Sequence, residues 1–338
     1  MELRLSSIVS AAYLLSAADA ASLLSYHIAS AQEPVHRNVL HTIMENRKED
    51  EHVHMTTKVE DSPWYVRDIA SILQPQTREM LQSYAGISPD DLVSHIEAAR
   101  QRAWPLAPYP SVGALTWLNP YLLLHPAHDR VLSKVKSGAK IIDCACMVAP
   151  DLRYLASKGA PTKNMYGFDI EPGFFDIGFD FYGDRTRWAG DFFEADATKP
   201  FEQSKLGELK GQLDIIWCPK FLHLFDREHQ IELAARLVEL LRPVAGSMFV
   251  GSQNGLPESE ELPFKNGSFG TTQKGIWMAN ADEIKAMWGE VAERTKTKWD
   301  VEARLLDLRT IGLHKDDGTF YKTKTGYNLQ WTATLLEA

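Results

Sequence analysis

Three aspartates close three successive apolar stretches in the middle of this chain: Asp143 in AKIIDCA, Asp169 in NMYGFDI and Asp196 in DFFEAD. A fourth stretch, LDIIWC, ends at Cys218 and runs through Pro219 to Lys220 and His223. An ionised carboxylate is a pure acceptor with two oxygens, so Asp169 could receive a ribose diol and Asp196 an adenine amino group. Lys220 could hold an acidic substrate, and His223 could orient an acceptor or remove its proton. Taken singly, each acid reads equally well as a helix cap, Lys220 as a surface lysine and His223 as a ring packed within FLHLF. Their order along the chain is what points to one site.

The elements that must position these residues alternate. HPAHDRVLSKVKSG, APDLRYLASKG, PGFFDIGFDFYGDR and REHQIELAARLVELL carry helical spacing, and the four apolar stretches plus GSMFVGSQ fall between them as strands. Such alternation predicts a doubly wound, mostly parallel α/β sheet covered on both faces, with its ligand beyond the carboxyl ends of the strands. WDVEARLLDLR and YNLQWTATLLE read as two more strands, an antiparallel edge pair. Ahead of the first strand, SPWYVRDIASILQ, TREMLQSYAG and ISPDDLVSHIEAARQRAW are helical, and a proline-rich loop follows. Trp104, Tyr109 and Trp117 in that region, together with Trp277, are predicted to wall an apolar acceptor pocket, although such aromatics also serve cores. The chain divides into an apolar helix and polar linker over 1–61, a helical cap and substrate loop over 62–124, and the α/β core over 125–338.

With 338 residues, 44% of them hydrophobic and 24% charged, the chain can bury a large core as a soluble globular protein. Its net charge of -9 comes without a Lys/Arg stripe, which excludes a nucleic-acid backbone as partner. Cys144, Cys146 and Cys218 suit core packing in a reducing, cytoplasmic compartment, with no disulfide framework and no metal site. Residues 1–32 resemble a secretory signal in their apolar run and ASAQ ending. Asp19 interrupts that run, however, and Leu14, Leu15, Ala18, Ala21 and Leu24 keep helical spacing, which predicts a helix packed on the body or on a second subunit of a homodimer. The segment is too short and interrupted for a membrane span. His41, His52 and His54 lack ligand spacing and are assigned to the linker.

The stretches SYAGISPDDLVSHIEAARQRAWPLAPYPSVG, HPAHDRVLSKVKSGAKIIDCAC, APDLRYLASKGAPTKNMYGFDIEPGFFDIGFDFYGDR and LDIIWCPKFLHLFDREHQIELAARLVELLRP resemble the fungal secondary-metabolite class I methyltransferases. Carboxyl O-methyltransferases of meroterpenoid pathways are among these. The resemblance implies a Rossmann-like core beneath a helical cap, and S-adenosylmethionine as cofactor. It also implies an apolar small-molecule acceptor, polyketide or terpenoid, carrying an acidic or hydroxyl group. Cofactor contacts carry over to Asp143, Ala145, Ala149, Asp169, Ile170, Asp196, Ala197 and Cys218.

One loop departs from the pattern. Relatives carry Asp-x-Gly-Cys-Cys-Phe-Gly-Gln-Asp-x-Arg where this chain has Ala145, Ala149 and Pro150 in place of Gly, Gly and Gln. Ala145 is tolerable at negative φ, whereas Pro150 removes an N–H and is expected to hold Ala149 extended. Proline also suits the first turn of the helix that follows. Restoring the glycines is expected to lower stability slightly, because glycine costs backbone entropy. Three readings stay open: an O-methyltransferase, a cyclase or pericyclase on the same fold that moves no methyl group, and a non-catalytic partner subunit.

Overall fold

Ile141–Cys144 (β1) and Ile215–Pro219 (β4) are short apolar runs, and they are buried along almost their whole length. Strands with both faces covered by helices must be so. In the computed structural model, which describes residues 58–62, 65–263, 275–311 and 326–338, these two strands pair in parallel at the centre of a seven-stranded sheet. The N-terminal helix and the linker histidines expected from the sequence lie outside the described residues.

Met165–Asp169 (β2) and Asp191–Glu194 (β3) extend the sheet in parallel on one side, and Met248–Asn254 (β5) does so on the other. Tyr327–Glu337 (β9) then runs antiparallel between β5 and Lys298–Asp307 (β8), giving the order β3-β2-β1-β4-β5-β9-β8. The expected antiparallel edge pair is borne out, with β8 outermost and β9 on its inner side. The burial pattern gives the reason. Asn328 to Ala333 are all buried, whereas β8 alternates exposed and half-buried residues over most of its length, so β9 is the strand that gains from neighbours on both sides.

Two elements had not been read from the sequence. Glu260–Pro263 (β6) pairs with Gly275–Met278 (β7) in a separate two-stranded sheet. A helix also spans Ala281–Thr295, opened by Asn280, whose side chain accepts from the N–H groups of Asp282 and Glu283. An Asn cap followed by two acids was its available signal.

The longer helices are Pro75–Ser83 (α1), Leu92–Ala103 (α2), His128–Lys136 (α3), Pro150–Ser157 (α4), Gly173–Tyr182 (α5), Arg227–Val238 (α6) and Ala281–Thr295 (α7). Alternate strand residues face opposite ways. Ile142, Cys144, Ile216, Cys218 and Phe249 share a core with α6 and α7, while Ile141, Ile215, Trp217 and Met248 share one with α3 and α4. A third core joins the cap helices α1 and α2 to α4 and α5 through Leu81, Ile96, Trp117, Tyr154, Phe174 and Phe181. Among the described residues, no helix is long and apolar enough to cross a membrane.

Gly251 of β5 lies opposite Trp331 of β9, and a Cβ at this position would sit inside the indole. Gly251→Ala is expected to destabilise the fold by about 1–3 kcal/mol through overpacking, read as a lower urea midpoint. An unchanged midpoint would show that the indole swings aside.

Candidate functional site

The loop from β1 into α4 sets the site. Ala145, Met147 and Ala149 have φ of 52°, 49° and 46°, all in the left-handed region that glycine enters without strain. This corrects both backbone expectations: Ala145 is not at negative φ, and Ala149 is not extended before Pro150. Tertiary hydrogen bonds explain the outcome. Cys146 N–H donates to the Phe168 carbonyl at 3.0 Å and Met147 N–H to Asp169 Oδ2 at 2.9 Å, so the loop is drawn back over the end of β2. Ala149 N–H donates to the Cys146 carbonyl at 2.6 Å, and Arg153 Nη1 donates to the Val148 carbonyl at 2.7 Å. Strained conformations persist where surrounding contacts over-determine them. The loop thus keeps a course suited to glycine without containing one.

Asp143, Asp169 and Asp196 line the carboxyl edge of adjacent strands β1, β2 and β3. Asp143 is buried and neither carboxylate oxygen has a hydrogen-bond partner among the described residues. Burial pushes its pKa well above the usual carboxylate range, and Asp151 adds to the push. Asp151 accepts from Leu122 N–H at 2.7 Å, and burial raises it to about 6. Asp169 accepts from Met147 N–H through Oδ2 and from Glu171 N–H through Oδ1. Burial raises its pKa, and these N–H groups pull the other way.

Each Asp169 oxygen retains a further lone pair, and the adjoining Ile170 is 65% exposed. A buried acid beside an uncovered aliphatic side chain could hold the nucleoside part of a cofactor. Asp196 Oδ1 accepts from both the N–H and the hydroxyl of Thr198, which fixes its carboxylate. Ala197 is buried behind it. Cys218, expected among the cofactor contacts, belongs to the sheet's interior core instead, because its side chain points to the α6 and α7 face.

Across the sheet, Lys220 follows β4 with φ of 51°. Its N–H donates to the Ser252 carbonyl at 2.6 Å, and its Nζ donates to Asn254 Oδ1 at 2.7 Å and lies 5.0 Å from the centre of the Tyr121 ring. Burial of this ammonium lowers its pKa to about 7. Among the described residues no carboxylate forms an ion pair with it. His223 has a buried Nδ1 without a partner, which departs from a ring fully satisfied by backbone. Burial and the nearby Lys220 lower its pKa to about 3. The ring is therefore held neutral at neutral pH and is a weaker base than a free histidine.

The aromatic wall forms only in part. Trp104 and Trp117 lie in the cap core, Trp117 edge-on to Phe181 at 5.5 Å, and Trp277 is buried in the core beneath α6. Tyr109 is exposed. Sequence reasoning missed Leu106, which stands against Gly173 near Ile170, and it missed Tyr121 and Asn254 around Lys220. Asn254, the last residue of an apolar strand in GSQN, was the one findable signal.

A parallel sheet with its final strand inserted antiparallel inside the edge, and with acids ending its first three strands, defines the class I methyltransferase type of fold. Residues 64–118 match the family described as meroterpenoid methyltransferase N-terminal domain. O-methyltransferase atr3 of Stereocaulon alpinum is 33% identical over 246 residues, covering 72% of this chain and 69% of that protein. O-methyltransferase phiE of a fungal species is 32% identical over 252 residues, 73% of this chain and 81% of phiE. The chain belongs to this family of fungal secondary-metabolite O-methyltransferases. Among solved structures, the Haemonchus contortus phosphoethanolamine N-methyltransferase 2 in complex with S-adenosyl-L-methionine is 14% identical, with a TM-score of 0.43 over 78% of this chain and 60% of that one.

The left-handed alanines reverse the expected sign of glycine restoration. Relief of about 1–2 kcal/mol of strain outweighs an entropic loss of about 0.4–1 kcal/mol. Ala145→Gly and Ala149→Gly are each expected to raise the melting temperature by calorimetry; a fall at both would mean that the loop relaxes to negative φ in solution.

Proposed function

We propose that this chain transfers a methyl group from S-adenosylmethionine to an acidic oxygen, carboxyl or hydroxyl, on an apolar polyketide or terpenoid. The observation that carries the reading is Lys220: a half-buried ammonium, held by Asn254 and a left-handed backbone, without an ion-paired carboxylate among the described residues. A charge drawn partly out of water is costly unless something pairs with it, and an anionic acceptor is the natural counter-charge. The membership of the chain in an O-methyltransferase family agrees, as does a 27% identical relative, over 230 residues, described as an asnovolin E/chermesin D methyltransferase of Aspergillus novofumigatus.

In this reading Asp169, Ile170 and Asp196 hold the adenosyl portion, and the cofactor, when bound, supplies an electrophilic methyl group on sulfonium. The protein's own task is alignment. Lys220 fixes the acceptor oxygen, the neutral His223 ring orients it, and Tyr109 and Leu106 offer apolar surface at the mouth. A carboxylate acceptor needs no base, which agrees with the weak basicity of His223. The three free, buried cysteines support a reducing, cytoplasmic setting. The helical spacing of Leu14 to Leu24 supports a homodimer, checked by light scattering.

Titration calorimetry with S-adenosylhomocysteine is expected to show micromolar binding that Asp169→Ala abolishes. Turnover of an acceptor without any methyl donor would overturn the reading in favour of cyclisation. The protonated Lys220 is the form that binds an anion, so kcat/KM for an acidic acceptor is expected to fall as pH rises through about 7. Lys220→Arg should move that fall upward.

Stability runs the opposite way. The folded pKa lies below the unfolded value of about 10.4, so the folded state releases its proton first and the burial penalty fades between pH 7 and 10. Lys220→Met is therefore expected to be more stable than the parent at pH 6 and to lose acceptor affinity. Equal stability at pH 6 would show that the ammonium is solvated.

A further inference from the structure

Arg153 of α4 is wholly buried, and its guanidinium lies about equally far from four aromatic rings, at 5.3 Å from Phe179, 4.9 Å from Tyr182, 5.2 Å from Trp188 and 5.0 Å from Phe192. Its Nε and Nη2 donate to Asp184 at 3.0 and 3.3 Å, and its Nη1 donates to the Val148 carbonyl of the cofactor loop. Asp184 has a second partner, the Tyr84 hydroxyl at 3.0 Å, and Tyr84 is the C-cap residue of cap helix α1. Gly178 of α5 backs the arrangement closely: a Cβ there would meet both Arg153 Nη1 and the Val148 oxygen at 3.2 Å. Cap helix α2 grips the same helix α5, where His95 Nε2 lies 2.8 Å from the Phe181 carbonyl and Arg102 pairs with Asp180.

A buried ion pair is a weak source of stability, since apolar residues of similar volume often serve as well. This one is built differently, because it ends on a carbonyl flanked by left-handed Met147 and Ala149. A loop in that state needs a clamp, and the clamp here is held from the cap.

We propose that Arg153 is a positioning residue for the methyl-donor loop, and that the Tyr84–Asp184–Arg153–Val148 chain makes donor affinity depend on how the cap is seated. The proposal rests on the methyl-donor reading above. It places donor binding under the control of cap helices α1 and α2, so a change in how the cap is seated changes the affinity for the donor.

The test compares the wild type with Tyr84→Phe and Arg153→Lys by calorimetric titration with S-adenosylhomocysteine, by steady-state kinetics and by hydrogen exchange of the amides at 146–149. Tyr84→Phe removes one hydroxyl, and Arg153→Lys keeps the charge but cannot reach Asp184 and Val148 together. Tyr84→Phe is expected to weaken S-adenosylhomocysteine by roughly 3- to 10-fold, the scale of one ordinary net hydrogen bond acting through the loop, and Arg153→Lys by more. Donor KM should rise in step while acceptor KM holds, and the loop amides should exchange faster. Wild-type affinity in both folded variants, or a loss of kcat at constant donor KM, would overturn the proposal. If Arg153→Lys does not fold, Tyr84→Phe decides alone. If the wild type itself binds no S-adenosylhomocysteine, the donor reading fails, and exchange at 146–149 in Tyr84→Phe still decides whether the clamp exists.

Discussion

The ion pair between Arg153 and Asp184 is the constraint on which the rest of the structure depends. Both side chains are excluded from solvent, so neither charge would be tolerable alone, and losing one partner of such a pair costs about 3–5 kcal/mol. The guanidinium gains from the electron-rich faces of the rings around it. The carboxylate gains from a tyrosine hydroxyl supplied by the cap. A single charged contact therefore ties together three things that the chain builds separately: the helices ahead of the sheet, helix α5 with its trailing turn, and the loop beyond the first strand.

The carboxyl edge of the sheet is divided chemically. Acids end the strands on the β1, β2 and β3 side, and a half-buried cation follows the strand on the β4 side, next to the amide that ends β5. The division falls where the strand order reverses, between β1 and β4, where helices on either side part and leave room for ligands. Acids and cation therefore stand on two sets of strands that never share a residue. The desolvation that lowers the Lys220 pKa makes its ammonium a stronger acid, and the same desolvation keeps His223 neutral.

Much of this was legible in the sequence, and for identifiable reasons. The alternation of apolar strands and amphipathic helices gave the parallel core, since each period is local and repeated. Asp143, Asp169 and Asp196 were legible because a strand end is a defined place once the strand is found. Lys220 was legible by its position but not by its state, which Asn254 and Tyr121 create from distant parts of the chain. The backbone of Ala145 and Ala149 misled local reasoning: alanine avoids the left-handed region and a residue before proline favours extension, yet donors to Phe168, Asp169 and Cys146 overrule both. Trp104, Trp117 and Trp277 show the complementary difficulty, because an aromatic in a loop looks the same in sequence whether it faces a cavity or fills a core. The place of β9 inside the edge depended on burial across seven strands, which no window along the chain contains.

The alanines of the β1 loop carry a consequence for heredity. Where a turn is dictated by partners far away in the chain, its own residues lose their veto over its shape, and glycine becomes a convenience that mutation can remove. Such a lineage can drift through the most recognisable signature of its kind while its architecture stands. A search keyed to those glycines would pass over this chain, whereas one keyed to Arg153, Asp184 and Tyr84 would look for the residues that now govern the turn.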